Sequence, residues 1–243
     1  MKQDGTKRVR IGSRTVGRRP LIVGVVTSLE ALSRVARRKS WPFDVVEVRL
    51  DLLKAGADDI RAGIRRIEDR GLPVLLTIRS AREKGGWRKA EAARARLYEE
   101  LLPEVSAVDV EIRSPIFISL CRKAHEAWRT VVGSYHDFAG TPSLAVLKAM
   151  ARRARAGGAD IVKIATAVKG AGDAEVLLRL LKTRRGTLLC VIGMGTHAAD
   201  LRVKLACEGA CLTYGFVDRS AAPGQLACRE LARRLRACGV RPA

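Results

Sequence analysis

Aromatic residues are scarce in this chain, where Phe, Trp and Tyr together make up 4% of 243 residues. Proteins that bind single-stranded nucleic acid stack bases on aromatic rings, so this scarcity argues against such a role. Acidic residues are also few: 25 Asp and Glu face 46 Lys and Arg, and the formal net charge is +21. The basic residues are scattered over helix-like stretches such as RAGIRRIEDR. We interpret them as a solvated surface that also attracts an anionic substrate, and we expect no nucleic acid partner.

Long apolar runs are missing as well. No run approaches the roughly 20 residues needed to span a bilayer, so we expect no membrane contact. The first 20 residues are basic and lack the apolar stretch of a secretory signal, which favours a cytoplasmic protein.

Cysteine is present but is not arranged as a metal site. None of the six cysteines forms a Cys-x-x-Cys pair or has a histidine at ligand spacing, so we expect no metal. Buried free thiols are one interpretation, and one or two disulfides in a heat-adapted protein are the other. The cysteines are Cys121, Cys190, Cys207, Cys211, Cys228 and Cys238.

Eight short β-rich runs recur along the chain with helical patterns between them, such as Gly86–Leu102 and Pro142–Ala156. Strands that alternate with helices predict a parallel sheet. The predicted strands are Leu21–Thr27, Asp44–Asp51, Pro73–Ser80, Ala107–Ile112, Thr130–His136, Ala159–Thr166, Thr187–Met194 and Ala210–Phe216.

Eight such units in about 250 residues predict an α/β fold of the (β/α)8 barrel type. A doubly wound open sheet is the alternative, although no Gly-x-Gly-x-x-Gly motif follows the first strand. The stretch RVRIG suggests that residues 1–19 carry a short β-hairpin that closes the barrel floor. With no linker or low-complexity segment, we expect one domain over residues 1–243.

Charged residues share one face of several predicted strands. Side chains alternate between the two faces of a strand, so Glu47, Arg49 and Asp51 share one face and the apolar residues between them share the other. Arg79 on the next strand and Asp109 on the strand after it are also on the face opposite to the apolar residues. Helices cover the outside of a barrel, so the apolar face points outward and the charges point inward. Burying charge costs several kcal/mol per ion without partners, so these residues predict a polar site in the barrel.

A lysine and a histidine follow the same parity. Lys163 points inward between Ile161 and Ala165, the desolvated setting of a Schiff-base lysine, although an ion pair with Glu111 or Glu47 explains it equally well. His136 points inward on the preceding strand, about 4.8 Å away. The pair predicts an amine nucleophile beside a proton shuttle.

Six motifs in this order span nearly the whole chain and together resemble the type I 3-dehydroquinate dehydratase family. The resemblance implies a (β/α)8 barrel and dehydration of 3-dehydroquinate to 3-dehydroshikimate in the shikimate pathway, with no cofactor. We also expect a homodimer. The motifs are EVRLDLL, TIRSAREKGG, SYHDFAGTP, ADIVKIA, MGTHAADLR and AAPGQ.

By this resemblance Lys163 forms an imine with the substrate ketone, His136 is the general acid and base, and Glu83 orients His136. Arg202 would clamp the carboxylate. Arg202 is one of seven residues that the resemblance places around the substrate, namely Glu47, Arg49, Arg79, Met194, Arg202, Ala221 and Gln225. His125 and His197 are expected to be bystanders.

Three positions depart from the family pattern. Lys84 is an extra residue between Glu83 and the double glycine, while Leu201 and Ala221 stand where the family usually or often has serine, with Ser220 adjacent to Ala221. Two other functions remain as alternatives: a different Schiff-base barrel enzyme such as an aldolase, and a basic nucleic-acid-binding protein.

Overall fold

Eight parallel strands, each followed by a helix, form the body of the computed structural model, which describes residues 9–183, 186–195, 198–220 and 224–240. A two-stranded hairpin, β1 (Arg10–Ile11) and β2 (Arg14–Thr15), precedes them. The barrel strands are β3 (Leu21–Val26), β4 (Val45–Arg49), β5 (Val74–Thr77), β6 (Ala107–Glu111), β7 (Thr130–Asp137), β8 (Ile161–Ala167), β9 (Leu188–Met194) and β10 (Leu212–Phe216).

The strands follow one another around a nearly closed barrel in the order β10-β3-β4-β5-β6-β7-β8-β9. Where β9 and β10 meet, the amide of Cys211 donates to the carbonyl of Leu189 at 2.8 Å. The (β/α)8 barrel predicted from the alternation is therefore confirmed, and the open-sheet alternative is wrong.

The helices surround the barrel and begin where local chemistry allows. Ser28 caps α1 (Leu29–Arg37) by accepting from Ala31 N, and Ser143 caps α5 (Leu144–Ala156) by accepting from Val146 N. Both bonds satisfy backbone donors that a helix start leaves free. Ser143 is also the reason that the helix predicted from Pro142 begins two residues later. The helices are α1 (Leu29–Arg37), α2 (Ala57–Asp69), α3 (Glu91–Leu101), α4 (Phe117–Glu126), α5 (Leu144–Ala156), α6 (Ala171–Lys182), α7 (Ala198–Cys207) and α8 (Cys228–Ala237).

Apolar side chains pack in two separate clusters. Outward-facing residues such as Val46, Val48 and Val108 pack against the helices in the larger cluster. A smaller cluster fills the lower barrel, where one inward residue on each of five successive strands is apolar and buried. We call these five residues the floor layer: Val45, Leu75, Ala107, Val132 and Ile161.

The N-terminal hairpin packs beneath the floor layer, as the sequence suggested. Ile11 is fully buried in the inner cluster, and Val16 joins it there. Gly12 turns the hairpin with φ +53°, a conformation that glycine adopts without steric cost. Residues 1–8 of the predicted N-terminal segment lie outside the described residues.

All six cysteines are free thiols, which contradicts the disulfide alternative, but only four of them are buried. Cys207 and Cys238 are exposed because they lie at the ends of α7 and α8. Among the described residues, no helix combines the length and the apolar character that crossing a membrane requires.

Candidate active site

Directly above the floor layer, the next inward residue on the same five strands is polar. We call this set the polar layer: Glu47, Thr77, Asp109, Ser134 and Lys163. All five are buried, with at most 5% of each residue exposed. Their hydrogen bonds are mutual, since Thr77 Oγ1 donates to Glu47 at 2.8 Å and Ser134 Oγ donates to Asp109 at 2.6 Å. Buried polar groups need such partners, so the polar layer is a satisfied network.

Lys163 projects from β8 into the centre of this layer. Its Nζ lies 3.0 Å from Asp109 Oδ2 and 3.7 Å from Glu47 Oε1. The ring of Tyr214 lies beneath it, with the centroid 4.0 Å from Nζ. The ion pair considered from the sequence thus includes Glu47, but Asp109 is the nearer partner. Glu111 is not a partner, because it binds Arg94 at 2.8 Å instead.

Asp109 connects Lys163 to Arg79. Arg79 donates from Nη2 to Asp109 and from Nη1 to Ser134, both at 2.7 Å. Burial by itself would raise the pKa of Asp109, but the charges of Arg79 and Lys163 outweigh it and hold that pKa well below its usual range. Asp109 therefore stays ionised and balances two buried cations.

His136 lies on β7 two residues beyond Ser134, and Ser134 is level with Lys163. Its Nδ1 is 2.8 Å from Glu83 Oε2. An ionised carboxylate only accepts, so this contact assigns the ring proton to Nδ1 and leaves the lone pair on Nε2. Burial, with the positive charges of Arg79 and Lys163, lowers the pKa of His136 well below its ordinary value. The imidazole is therefore neutral at neutral pH and able to accept a proton.

Glu83 is buried at the end of a short 3₁₀ helix, Ala81–Glu83, that follows β5. Burial raises the pKa of Glu83, and the charges of Arg79 and Arg113 oppose that rise. Through Glu83 the loop after β5 reaches the end of β7.

The glycines after Glu83 explain the shape of this loop. A Cβ on Gly85 would lie 2.0 Å from the Arg79 carbonyl oxygen, and one on Gly86 would lie 2.2 Å from that of Asp51, so only glycine fits. The loop then returns to the barrel through Trp87, whose N donates to Arg79 O at 3.1 Å. This return is why the helix predicted from Gly86 begins only at Glu91, and its end falls at Leu101.

Arg49 is held at the upper end of β4. It donates to both carboxylate oxygens of Asp51, at 2.9 and 2.7 Å, and Asp51 also accepts from Gly86 N at 2.9 Å. Asp51 therefore fixes the arginine and the loop that carries Glu83 at the same time.

One cavity of about 310 Å³ brings the predicted site residues together. Arg202 enters it from α7, and burial lowers the pKa of this guanidinium to about 10, so it remains charged at neutral pH. Ala221 and His197 lie outside the described residues. The predicted residues that line the cavity are Glu47, Arg49, Arg79, Glu83, His136, Lys163, Met194, Arg202 and Gln225.

Comparison with known proteins shows the family of this chain. A family model described as type I 3-dehydroquinase matches residues 21–242. The chain belongs to the type I 3-dehydroquinase family. A 3-dehydroquinate dehydratase from Methanothrix thermoacetophila is 37% identical over 222 residues, which are 89% of this chain and 92% of the relative.

Two further relatives have the same name. A 3-dehydroquinate dehydratase from Methanosarcina barkeri is 34% identical over 240 residues, covering 92% of this chain and 96% of the relative. The crystal structure of 3-dehydroquinate dehydratase from Geobacillus kaustophilus superposes with a TM-score of 0.86 at 28% identity and covers 96% of each chain.

Several residues of this family member's cavity were not predicted from the sequence. Tyr214, Phe138 and Lys84 all line it. The Phe138 ring stacks on His136 at 6.0 Å between centroids, and Lys84 Nζ lies 4.5 Å from the Phe138 ring. The alternation of side chains along β10 could have indicated that Tyr214 points into the barrel. The stacking of Phe138 and Lys84 depends on loop geometry, for which the sequence holds no signal. The second histidine considered, His125, binds Asp160 on the outside at 2.9 Å.

Proposed function

We propose that this chain dehydrates 3-dehydroquinate to 3-dehydroshikimate through an imine on Lys163, with His136 moving the protons. The observation that carries the proposal is one buried amine and one neutral imidazole lining a single cavity. The names of the relatives supply the substrate.

In the proposed reaction Lys163 first gives up one proton, and its Nζ then attacks the ketone carbon with the freed lone pair. That proton returns to the departing oxygen, which leaves as water, so the imine forms in its protonated state. The protonated imine withdraws electrons and acidifies the adjacent carbon. His136 removes a proton from that carbon through Nε2 and then gives it to the departing hydroxyl, which leaves as water. One imidazole performs both transfers, so the hydrogen and the hydroxyl leave from the same face. Hydrolysis then frees Lys163 and the conjugated enone product.

The polar layer supports the first step. Asp109 on β6 and Glu47 on β4 hold the Nζ of Lys163 in place. A nucleophile whose position is fixed before the substrate arrives loses little entropy on reaction. The apolar residues beneath, among them Ile161, exclude water from its stem.

Glu83 supports the proton transfers. Its Oε2 accepts from His136 Nδ1 and would stabilise the imidazolium that forms when Nε2 takes the proton. This follows the general pattern of a base oriented by a third group.

The direct test is turnover of 3-dehydroquinate, followed by the ultraviolet absorbance of the enone. We expect conversion by the wild-type protein and a loss of about 10⁴-fold or more in Lys163→Met, since this change removes the buried amine that would form the imine. Lys182→Met, on the exposed face of α6, is the matched control and should keep its rate. Absence of wild-type conversion refutes the substrate; a Lys163→Met rate within tenfold of wild-type refutes the imine.

The charge on the substrate gives a second test. A guanidinium can donate two parallel hydrogen bonds to a carboxylate, whereas an ammonium acts as a point charge. We therefore expect Arg202→Lys to raise KM by about tenfold with a smaller change in kcat, because such binding acts alike on the ground state and the transition state. The control is Arg153→Lys, because Arg153 lies on the exposed face of α5. Equal rises in KM would mean that the general positive field, not Arg202, captures the substrate.

Whether the protein forms the homodimer expected from its sequence is measurable by light scattering.

A further inference from the structure

Arg113 follows β6 and contacts both members of the proposed proton-transfer pair. Its Nε and Nη2 donate to Glu83 Oε1 at 3.2 and 3.0 Å. The same Nη2 donates to the backbone carbonyl of His136 at 3.1 Å. The other oxygen of Glu83 holds the His136 ring at 2.8 Å. One guanidinium thus connects the carboxylate to the strand that carries the histidine.

A third contact fixes the guanidinium itself. The Cζ atom of Arg113 lies 4.7 Å from the centre of the Tyr135 ring, a cation–π distance. Tyr135 in turn donates from its hydroxyl to Asp137 at 3.1 Å. Arg113 therefore contacts the Tyr135 ring while its Nε and Nη2 reach Glu83.

Arg113 lies outside the substrate cavity. It lines a second cavity of about 280 Å³ on the far side of Glu83, together with Arg82, Glu91 and Arg94. Among the residues that the structure describes, Glu83 alone lines both cavities. The Arg113 side chain is 48% exposed while that of Glu83 is 4% exposed, so the arginine braces the carboxylate from the solvent side.

We propose that Arg113 is a positioning residue that fixes the angle of the Glu83 carboxylate and hence of the His136 ring. The inference rests on the proposed role of His136 in proton transfer. A guanidinium suits this task because its rigid fork can hold two acceptors at once, which a lysine cannot do in the same plane.

Arg113 also influences the charge of Glu83. The charged and titratable groups around Glu83 are Arg79, Asp109, Arg113 and His136. Burial and Asp109 raise the pKa of Glu83, while Arg79 and Arg113 lower it. Without Arg113, less positive charge opposes the rise in the pKa of Glu83. Glu83 would then take up a proton at a higher pH and stop stabilising the imidazolium.

The test uses Arg113→Met, Arg113→Lys and the control Arg82→Met, whose side chain lines the second cavity but is exposed. We expect Arg113→Met to lower kcat about tenfold, within the range of coupling between neighbouring groups, with KM changed less than about threefold. The acid limb of the kcat profile should move up by about one pH unit. Arg113→Lys should keep the acid limb, because the charge remains, and recover only part of kcat. Arg82→Met should match wild-type.

A double-mutant cycle separates positioning from a general loss of structure. In a Glu83→Gln background, Arg113→Met should lower kcat by less than about twofold, because its effect passes through the carboxylate. The proposal is overturned if Glu83→Gln and Arg113→Met lower kcat independently, so that their fold losses multiply in the double variant. It is also overturned if Arg113→Met leaves kcat and the pH profile unchanged. The His136→Ala variant keeps the two claims distinct. If it is inactive while Arg113→Met is normal, only the positioning role fails; if it is active, the proposed chemistry fails.

Discussion

The floor layer and the polar layer are two residues apart on the same five strands, yet they differ completely in chemistry. The floor layer, which includes Val45, Leu75 and Ile161, is apolar and close-packed, and the N-terminal hairpin covers it from below. The upper one contains two carboxylates, two hydroxyls and an amine. Burial of the lower side chains contributes about 1.5–3 kcal/mol each for the larger ones, whereas burying the upper charges costs free energy until they pair.

The difference shows how one barrel divides stability from chemistry. The parity of the strands sends both sets to the interior, and only the height along the barrel separates them. Substitutions in the polar layer should therefore affect turnover, and substitutions in the floor layer should affect stability.

Apart from Lys163 itself, the largest effect on turnover is expected just above the polar layer, at His136. His136→Ala should lower turnover about 10²–10⁴-fold, the range typical of losing a general acid–base group, while imine formation continues. Substrate and borohydride should therefore still inactivate this variant and add mass to the protein, as measured by mass spectrometry of the intact chain. Near-normal turnover would reject the role of His136.

A substitution in the floor layer should have the opposite effect, lowering stability and leaving turnover nearly unchanged. Leu75 is fully buried in the inner cluster, so Leu75→Ala leaves a cavity and should lower the free energy of unfolding by about 2–5 kcal/mol. Denaturant unfolding measures this loss. At a temperature where the variant is folded, its kcat should stay within about twofold of wild-type, because no catalytic group moves. A large fall in kcat with unchanged stability would contradict the division between the layers.

The pH profile gives a smaller and more specific effect. Because the pKa of His136 lies well below 6.5, the imidazole stays neutral, and active as a base, to lower pH than a free histidine. A histidine with the ordinary pKa would leave kcat/KM at about half its plateau at pH 6.5 and about a tenth at pH 5.5. We expect kcat/KM to be near its plateau at pH 6.5 and to fall only at lower pH. A midpoint at or above pH 6.5 would contradict the electrostatic account of His136.

Much of this architecture could be predicted from local sequence rules. The strand and helix alternation predicted the barrel, and the two-residue period predicted that Glu47, Arg79 and Lys163 face inward. The structure brings these residues to one cavity, as the parity required. Their proposed roles remain predictions.

Contacts between distant segments could not be predicted in the same way. The sequence predicted that Asp109 faces inward. That Asp109 is the nearest partner of Lys163 depends on how far each side chain extends into the barrel interior. Likewise, the loop through Gly85 that begins α3 late depends on a close approach to Arg79, and Arg113 meets Glu83 only because the loop after β5 lies beside the end of β6. No periodic pattern contains this information.

The most direct test of the account is the position of the covalent bond. Sodium borohydride added during turnover of 3-dehydroquinate should reduce the imine to a stable secondary amine, and digestion followed by tandem mass spectrometry should locate the added mass. We expect the modification on Lys163, in the middle of the polar layer, and we expect none in the Lys163→Met variant. Modification of another lysine, or turnover without any trapped adduct, would contradict the proposed imine on Lys163.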